Sequence, residues 1–224
     1  MKRAVIIVAA GSGSRMGGKL PKQFQKLQGK PIIIHTLETF YRFDPEMRII
    51  VVLAPEHRSL WETLAGSYEI PGGLVLTHGG NTRYDSVKKG LLRTGEVEIV
   101  GIHDAVRPLV SRETLARAYA AAEERGSGIP VLEMEESVRM VDQNGASEHL
   151  DRSRLRKVQT PQVFETRKIK KAYQQPYDPA FTDDASVYES LFGPVTLVEG
   201  NRENIKITSP VDKKLASLLM ASAG

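Results

Sequence analysis

Short apolar stretches alternate along the chain with longer amphipathic ones. Residues 4–10 (AVIIVAA) are almost wholly apolar, residues 31–43 (PIIIHTLETFYRF) have helical spacing, and residues 47–54 (MRIIVVLA) return to an apolar run. A parallel strand that is buried on both faces reads as a continuous apolar run, whereas a covering helix is apolar on one face. The alternation, which continues to about residue 125, therefore predicts an α/β fold: a Rossmann-like three-layer sandwich with a mostly parallel central sheet. A ligand is expected beyond the carboxyl ends of its strands.

The rhythm changes at about residues 133–157. A strand-like SVRMVD is followed by the turn-like QNGAS, and Arg152, Arg154 and Arg156 then alternate with other residues. At a period of two these arginines would share one face of an extended strand. We expect a protruding β-hairpin arm here, inserted in one domain that spans residues 1–224. Further strands are predicted at VTLVEG and at NIKIT (204–208).

The first ten residues, MKRAVIIVAA, allow two interpretations. A basic start, a short apolar run and small residues imitate a secretory signal peptide. The same run leads directly into a glycine-rich loop, as the first buried strand of an α/β sheet does. The second interpretation is favoured because the run is short for a signal peptide.

Composition narrows the function classes. Hydrophobic residues make up 41% of the chain and charged residues 26%, and no apolar run approaches the roughly 20 residues of a membrane-spanning helix. The formal charge of +4 is spread along the chain, so small anionic substrates are expected and nucleic acid is not. The absence of cysteine excludes disulfides and thiolate metal sites.

The loop AAGSGSRMGGKLPKQ, which begins at Ala9, fits neither common nucleotide-binding pattern. The dinucleotide fingerprint needs a third glycine where Met16 stands, and a P-loop needs Ser or Thr where Leu20 stands. What remains is a glycine-rich loop after a strand, with backbone N–H groups and nearby cations that can surround a triphosphate. A tight turn with solvated cations is the alternative.

Several strings together carry a resemblance to a known family. They are AAGSGSRM followed by PKQF, GGNTRYDSV, HDAVRP, DRSRL, QTPQVF, TDDAS and VEGNRENIKIT. In number and order they resemble the sugar-phosphate nucleotidylyltransferases, specifically the family of 2-C-methyl-D-erythritol 4-phosphate cytidylyltransferases, over essentially the whole chain. The resemblance implies a cytoplasmic, homodimeric enzyme that uses Mg²⁺, CTP and 2-C-methyl-D-erythritol 4-phosphate.

The resemblance also implies roles for individual residues. The catalytic cations are Arg15 and Lys22. The nucleotide-binding residues are Ala9, Ala10, Gly11, Ser12, Gly13, Gly80, Asn81, Ser86 and Lys206. The acceptor-binding residues are Asp104, Ser137, Arg152, Thr160 and Thr182. Asp104, after the apolar run EIVGIH, is also the candidate metal ligand, and its alternative role is to cap a loop. His103 is expected to be structural, and Arg107 is expected to anchor its loop or to contact phosphate.

Two departures from the family pattern stand out. Asn81 occupies a position where relatives also have aspartate, and it could equally be a helix N-cap. The segment PVLEMEESVR replaces the usual P-V-x-D-T, so that Glu136 and Ser137 stand where Asp and Thr are common. Ribitol-5-phosphate cytidylyltransferase, which shares the fold and the loop, and a non-catalytic nucleotide-binding module are the alternative functions. TDDAS and DRSRL favour the methylerythritol enzyme, and the combined presence of Arg15, Lys22, Asp104 and Lys206 favours catalysis.

Overall fold

The computed structural model describes residues 1–11, 20–68, 70 and 73–222. Its strands are β1 (Arg3–Ala9), β2 (Lys26–Leu27), β3 (Lys30–Pro31), β4 (Arg48–Leu53), β5 (Val75–His78), β6 (Ile99–Asp104), β7 (Ser127–Glu133), β8 (Val138–Val141), β9 (Ser147–Leu150), β10 (Arg156–Val158), β11 (Gln162–Glu165) and β12 (Leu197–Glu199). Its α-helices are α1 (Ile32–Phe43), α2 (Arg58–Ala65), α3 (Arg83–Leu91), α4 (Arg112–Arg125), α5 (Thr166–Ala172), α6 (Asp184–Phe192) and α7 (Pro210–Ser222).

A mixed central sheet runs in the order β10-β7-β11-β6-β1-β4-β5, with β12 paired to β7. The strands β6, β1, β4 and β5 are parallel to one another. β11 is antiparallel to both β6 and β7, and β10 is antiparallel to β7. The predicted α/β architecture and the mostly parallel arrangement of its core strands are confirmed.

Strand β1 shows why helices cover both faces of this sheet. Val5 and Ile7 pack into one apolar cluster with α1 and α4, whereas Ala4 and Ile6 pack into a second cluster with α3. Successive side chains of a strand point to opposite faces, so a wholly apolar strand needs a layer on each side. The apolar run that imitated a signal peptide thus forms an interior strand of the sheet.

The arm is the β8–β9 hairpin, whose antiparallel pairs run from Val138 with Leu150 to Val141 with Ser147. The predicted arginine face does not form. Residues Arg152–Arg154 make a 3-10 turn, and only Arg156 lies in a strand. The side chain of Asp151 accepts a hydrogen bond from the Ser153 N–H at 3.0 Å, and this local bond holds the turn in place of an extended strand.

The predicted strand at NIKIT is also wrong. Residues 204–208 are irregular, and their backbone bonds go to loops, as in the bond from Ile207 N–H to Val106 O at 3.0 Å. This segment lies beside the loop that follows β6. Its side chains can therefore reach the end of the sheet.

Candidate active site

A cleft of about 420 Å³ opens at the carboxyl ends of β1 and β6. Its lining combines the end of β1, the segment before α3, the end of β6 and one residue of the irregular 204–208 segment. The lining residues are Val8, Ala9, Ala10, Gly11, Lys22, Gln23, Gly80, Asn81, Thr82, Arg83, Ser86, Asp104, Ala105, Val106 and Lys206. The predicted site thus lies where an α/β sheet is expected to bind its ligand.

The glycine-rich loop is described only at its two ends. Ala9, Ala10, Gly11 and Lys22 line the cleft. The predicted residues Ser12, Gly13 and Arg15 lie outside the described residues. Gln23 joins the two ends, because its buried side-chain amide donates to Ala9 O at 2.8 Å and to Gly11 O at 3.3 Å.

The segment before α3 is shaped by local hydrogen bonds. Thr82 is the N-cap of α3 and forms a reciprocal capping box with Asp85. The Ser86 hydroxyl accepts from Gly80 N–H at 3.1 Å and donates to Thr82 O at 2.9 Å. Asn81 lines the cleft but is not the cap, so its predicted alternative role as N-cap falls to Thr82.

Gly80 is required sterically at this point. A Cβ atom on it would overlap the Cβ of Asp85, the residue that closes the capping box. The chain can therefore bring the backbone of this segment against the helix start only with glycine at this position. Backbone groups of Gly80, Asn81 and Thr82 therefore line one side of the cleft.

Asp104 is the centre of charge in the cleft. Its Oδ2 lies 3.0 Å from Lys206 Nζ and 3.3 Å from Arg107 Nε, and its Oδ1 lies 3.9 Å from Arg83 Nε. Burial by itself would raise the pKa of Asp104, but Arg83, Lys206 and Arg107 together hold that pKa well below its usual range. The carboxylate is therefore ionised at neutral pH.

A chain of hydrogen bonds fixes the backbone beneath Asp104. The Asp104 N–H donates to Thr160 Oγ1 at 3.2 Å, and that oxygen lies 3.0 Å from His103 Nδ1. His103 Nε2 lies 3.0 Å from Arg107 O. Because a carbonyl can only accept, Nε2 carries the proton, and Nδ1 accepts from the Thr160 hydroxyl. His103 is thus a neutral structural histidine, and burial lowers its pKa to about 4.

Asn204 ties the 204–208 segment to the same loops. Its side-chain amide donates to Thr160 O at 2.8 Å, and its carbonyl accepts from Arg107 Nη1 at 2.8 Å. Gln159 adds a bond from its Nε2 to Asn201 O at 2.8 Å. These contacts, made around the buried side chains of Asn204 and Gln159, place Lys206 beside Asp104 without regular secondary structure.

One pair of side chains at the site was not predicted from the sequence. Arg83 Nη1 and Nη2 donate to Asp184 Oδ1 and Oδ2 at 2.8 and 2.6 Å, and Tyr173 Oη donates to Asp184 Oδ1 at 2.6 Å. Burial by itself would lower the pKa of Arg83. The two carboxylates near it, above all Asp184, outweigh burial and hold that pKa above its usual value. Both residues belong to quoted motifs, GGNTRYDSV and TDDAS, but their side-chain pairing is a tertiary contact that no spacing indicates.

Three predicted acceptor residues lie away from the cleft lining described above. Ser137, Arg152 and Thr182 are exposed, the first two at the base of the arm and the third just before α6. Arg152 Nη1 donates to Glu135 O. Within one chain, the structure therefore brings together the described members of the predicted nucleotide set, Asp104 and Lys22, with Thr160 buried behind Asp104, but not these three.

The described residues contain no group of three or more His, Asp or Glu side chains that could hold a metal ion by themselves. Asp104 is the acidic side chain among the residues lining the cleft. No helix in the described part of the chain is long and apolar enough to cross a membrane.

Comparisons with known proteins agree on one family. Residues 3–222 match the family described as IspD, 2-C-methyl-D-erythritol 4-phosphate cytidylyltransferase. Proteins of that name from Bacteroides fragilis and Phocaeicola vulgatus are each 49% identical, over 98% of this chain and 100% of their own length. Two crystal structures are similar: 4-diphosphocytidyl-2C-methyl-D-erythritol synthase from Anaerococcus prevotii (TM-score 0.83, 26% identity, 98% of both chains) and 2-C-methyl-D-erythritol 4-phosphate cytidylyltransferase from Thermus thermophilus (TM-score 0.77, 31% identity, 99% of this chain and 100% of that one).

Proposed function

The chain belongs to the 2-C-methyl-D-erythritol 4-phosphate cytidylyltransferase family, and from that membership we propose how its cleft performs the family's reaction. The reaction transfers the CMP moiety of CTP to 2-C-methyl-D-erythritol 4-phosphate in the non-mevalonate route to isoprenoids. The products are 4-diphosphocytidyl-2-C-methyl-D-erythritol and pyrophosphate. One observation supports the residue assignment: Asp104, Lys206 and Lys22 all line one cleft at the ends of the glycine-rich loop.

Nucleotidyl transfer needs positioning and charge stabilisation instead of a protein nucleophile. An oxygen of the acceptor phosphate attacks the α-phosphorus of CTP, and the bond from that phosphorus to pyrophosphate breaks. Lys22 and Lys206 stabilise the negative charge that builds on the phosphates, and Arg15 is assigned the same role from the sequence. The backbone around Gly80 and Asn81 receives the cytosine.

Asp104 is proposed to orient the acceptor. Its Oδ2 is held by Lys206 and Arg107 at 3.0 and 3.3 Å. Its Oδ1 lies 3.9 Å from Arg83 Nε, which is beyond hydrogen-bond range, so the Arg83 contact leaves the lone pairs of this oxygen to a ligand. A hydroxyl of the acceptor is a suitable donor.

Mg²⁺ is the proposed cofactor, and the residues present fit it. Mg²⁺ is commonly held by one or two carboxylates together with substrate phosphates instead of a full protein cage. The single carboxylate of Asp104 in the cleft suits that arrangement, through Oδ1. The ion would neutralise charge on the triphosphate, while Lys22 and Lys206 bind and orient the phosphate groups.

We further propose a homodimer in which the arm completes the partner's site. The arm exposes apolar side chains, with Met140 52% and Val141 62% accessible. Arg152 and Ser137 lie at its base, outside the cleft lining of their own chain. A symmetric pair of subunits would cover the apolar surface and bring Arg152 to the acceptor phosphate of the other subunit.

The proposed location of the protein is the cytoplasm.

Pyrophosphate release tests the proposed function. The protein is incubated with CTP and Mg²⁺, in parallel with 2-C-methyl-D-erythritol 4-phosphate, with ribitol 5-phosphate and without acceptor. Release with the first acceptor alone supports the proposal. Release only with ribitol 5-phosphate would reassign the acceptor, and nucleotide binding without release would indicate a non-catalytic module.

A further inference from the structure

The guanidinium of Arg83 lies between two carboxylates. Its Nη1 and Nη2 form a bidentate pair with Asp184 at 2.8 and 2.6 Å, and its Nε lies 3.9 Å from Asp104 Oδ1. A bidentate pair fixes the plane of the guanidinium as well as its position. Arg83 is therefore set in one orientation before any substrate binds.

Asp184 is a rigid anchor for this pair. It is fully buried in the first turn of α6, and Tyr173 Oη donates to its Oδ1 at 2.6 Å. The helix start is fixed by a capping box at Asp183, and Gln162 Nε2 donates to Asp183 Oδ2 at 2.7 Å. A buried carboxylate held by this many partners has little freedom to move.

The anchored guanidinium restrains the second oxygen of Asp104. Lys206 and Arg107 both approach Oδ2, whereas Arg83 approaches Oδ1. Charge attraction at both oxygens limits rotation of the carboxylate. The long Arg83 contact achieves this without using the lone pairs of Oδ1.

The Arg83–Asp184 ion pair also joins two chain segments that are assigned to different substrates. Arg83 begins α3, directly after the segment with Gly80 and Asn81. Asp184 begins α6, two residues after Thr182. The ion pair therefore links the nucleotide segment to the segment assigned to the acceptor.

We propose that Arg83 is a positioning residue for the phosphate acceptor: anchored on Asp184, it orients the Asp104 carboxylate and holds the Thr182 segment against the nucleotide segment. The inference rests on the proposed function, because the acceptor is identified there. Arg83 acts through Asp104 and Asp184, so we expect its replacement to affect the acceptor far more than CTP.

Steady-state kinetics of Arg83→Lys test this role. Lysine keeps the positive charge but not the planar fork that Asp184 requires. We expect kcat/KM for 2-C-methyl-D-erythritol 4-phosphate to fall about ten- to a hundredfold, as for loss of a charged hydrogen-bonded contact. The dissociation constant of a non-hydrolysable analogue, α,β-methylene-CTP, measured by calorimetry, should stay within about threefold of wild type.

Arg58→Lys is the matched control. Arg58 pairs with Glu62 at 2.8 Å on α2, both side chains are more than half exposed, and neither lines the cleft. Its kinetics should equal those of wild type. An acceptor kcat/KM within about twofold of wild type in Arg83→Lys would overturn the inference, and so would an equal loss of analogue affinity, since that pattern indicates a structural role only.

Tyr173→Phe keeps the test decisive if Arg83→Lys fails to fold. It removes one hydrogen bond to Asp184 and leaves the ring in place, so a selective loss of about two- to fivefold in acceptor kcat/KM is expected. An unchanged value would overturn the inference. Failure of the proposed function is a separate result, because the wild-type protein would then release no pyrophosphate with this acceptor.

Discussion

The Oδ2 atom of Asp104 lies 3.0 Å from the Nζ atom of Lys206, which joins the end of β6 to the irregular segment beyond β12. Buried bonds from Asn204 to Thr160 and from Arg107 to Asn204 support this contact from behind the loop. The carboxylate holds the ammonium group of Lys206 inside the cleft. A cation is therefore in place before a triphosphate arrives, and it need not be ordered during the reaction.

Lys22→Ala and Lys206→Met should each lower kcat by about a hundredfold or more, the usual loss when a group that stabilises developing charge is removed. Both side chains line the cleft, and Lys206 is 42% exposed, so the fold should be retained. Lys214→Met, on the exposed face of α7, is the control. Rates and thermal midpoints of the three variants check the prediction, and wild-type kcat in either cleft variant would contradict it. The same loss is expected for Arg15→Ala.

Gly80→Ala should weaken CTP binding and also destabilise the protein. The new Cβ would overlap Asp85 and open the capping box of α3. Loss of such a cap costs about 1 kcal/mol, or roughly 2–4 °C in thermal midpoint for a chain of this size. Gly66→Ala, whose Cβ would meet nothing closer than 3.7 Å, should leave both quantities unchanged. Equal behaviour of the two variants would show that the segment tolerates a side chain.

Mixed dimers test whether Arg152 serves the partner's site. Arg152→Ala alone should raise the apparent KM of the acceptor. When Lys22→Ala and Arg152→Ala subunits are mixed and assayed with acceptor well below the raised KM, each heterodimer should contain one intact site, so that roughly a quarter of wild-type activity returns in an equal mixture. Lys22→Ala mixed with Lys206→Met should stay inactive, because both side chains line the cleft of their own chain. No recovery in the first mixture would place Arg152 outside the partner's site.

The free energy of unfolding should decrease on acidification, because folding keeps His103 neutral. Burial lowers its pKa to about 4, below the roughly 6.5 of the unfolded chain. Between these values the unfolded state binds more protons, so the free energy of unfolding decreases as the pH drops from about 6.5 to about 4. The urea midpoint of His103→Gln should change less between about pH 7 and about pH 5 than that of wild type or of His149→Gln, at an exposed arm residue. An identical change in all three proteins would contradict the assignment.

Periodicity was enough to predict the core of the fold. The apolar runs at β1, β4 and β6 are buried on both faces, and a strand of that kind allows few alternatives to a sheet between two helical layers. Motif strings were enough to predict most of the cleft lining, since Ala9 and Asp104 end β1 and β6, Gly80 follows β5, and the ends of these strands meet at one edge.

Contacts that depend on tertiary structure could not be predicted in this way. The turn at Arg152–Arg154 depends on two local bonds, from the Ser153 N–H and the Ser153 hydroxyl to the Asp151 carboxylate, which outweigh an alternating pattern. Lys206 is placed by buried bonds of a loop and not by a strand. The Arg83–Asp184 pair joins two helix starts that are distant in sequence, and only the folded chain brings them together.

The identity of the phosphorus-containing product tests the central claim most directly. Phosphorus NMR and mass spectrometry of a reaction with CTP, Mg²⁺ and 2-C-methyl-D-erythritol 4-phosphate should show one new diphosphate with the mass of 4-diphosphocytidyl-2-C-methyl-D-erythritol, formed together with pyrophosphate. Production of CMP and pyrophosphate with the acceptor unchanged would contradict the account, because it would mean that the cleft activates CTP for attack by water and not by the acceptor phosphate.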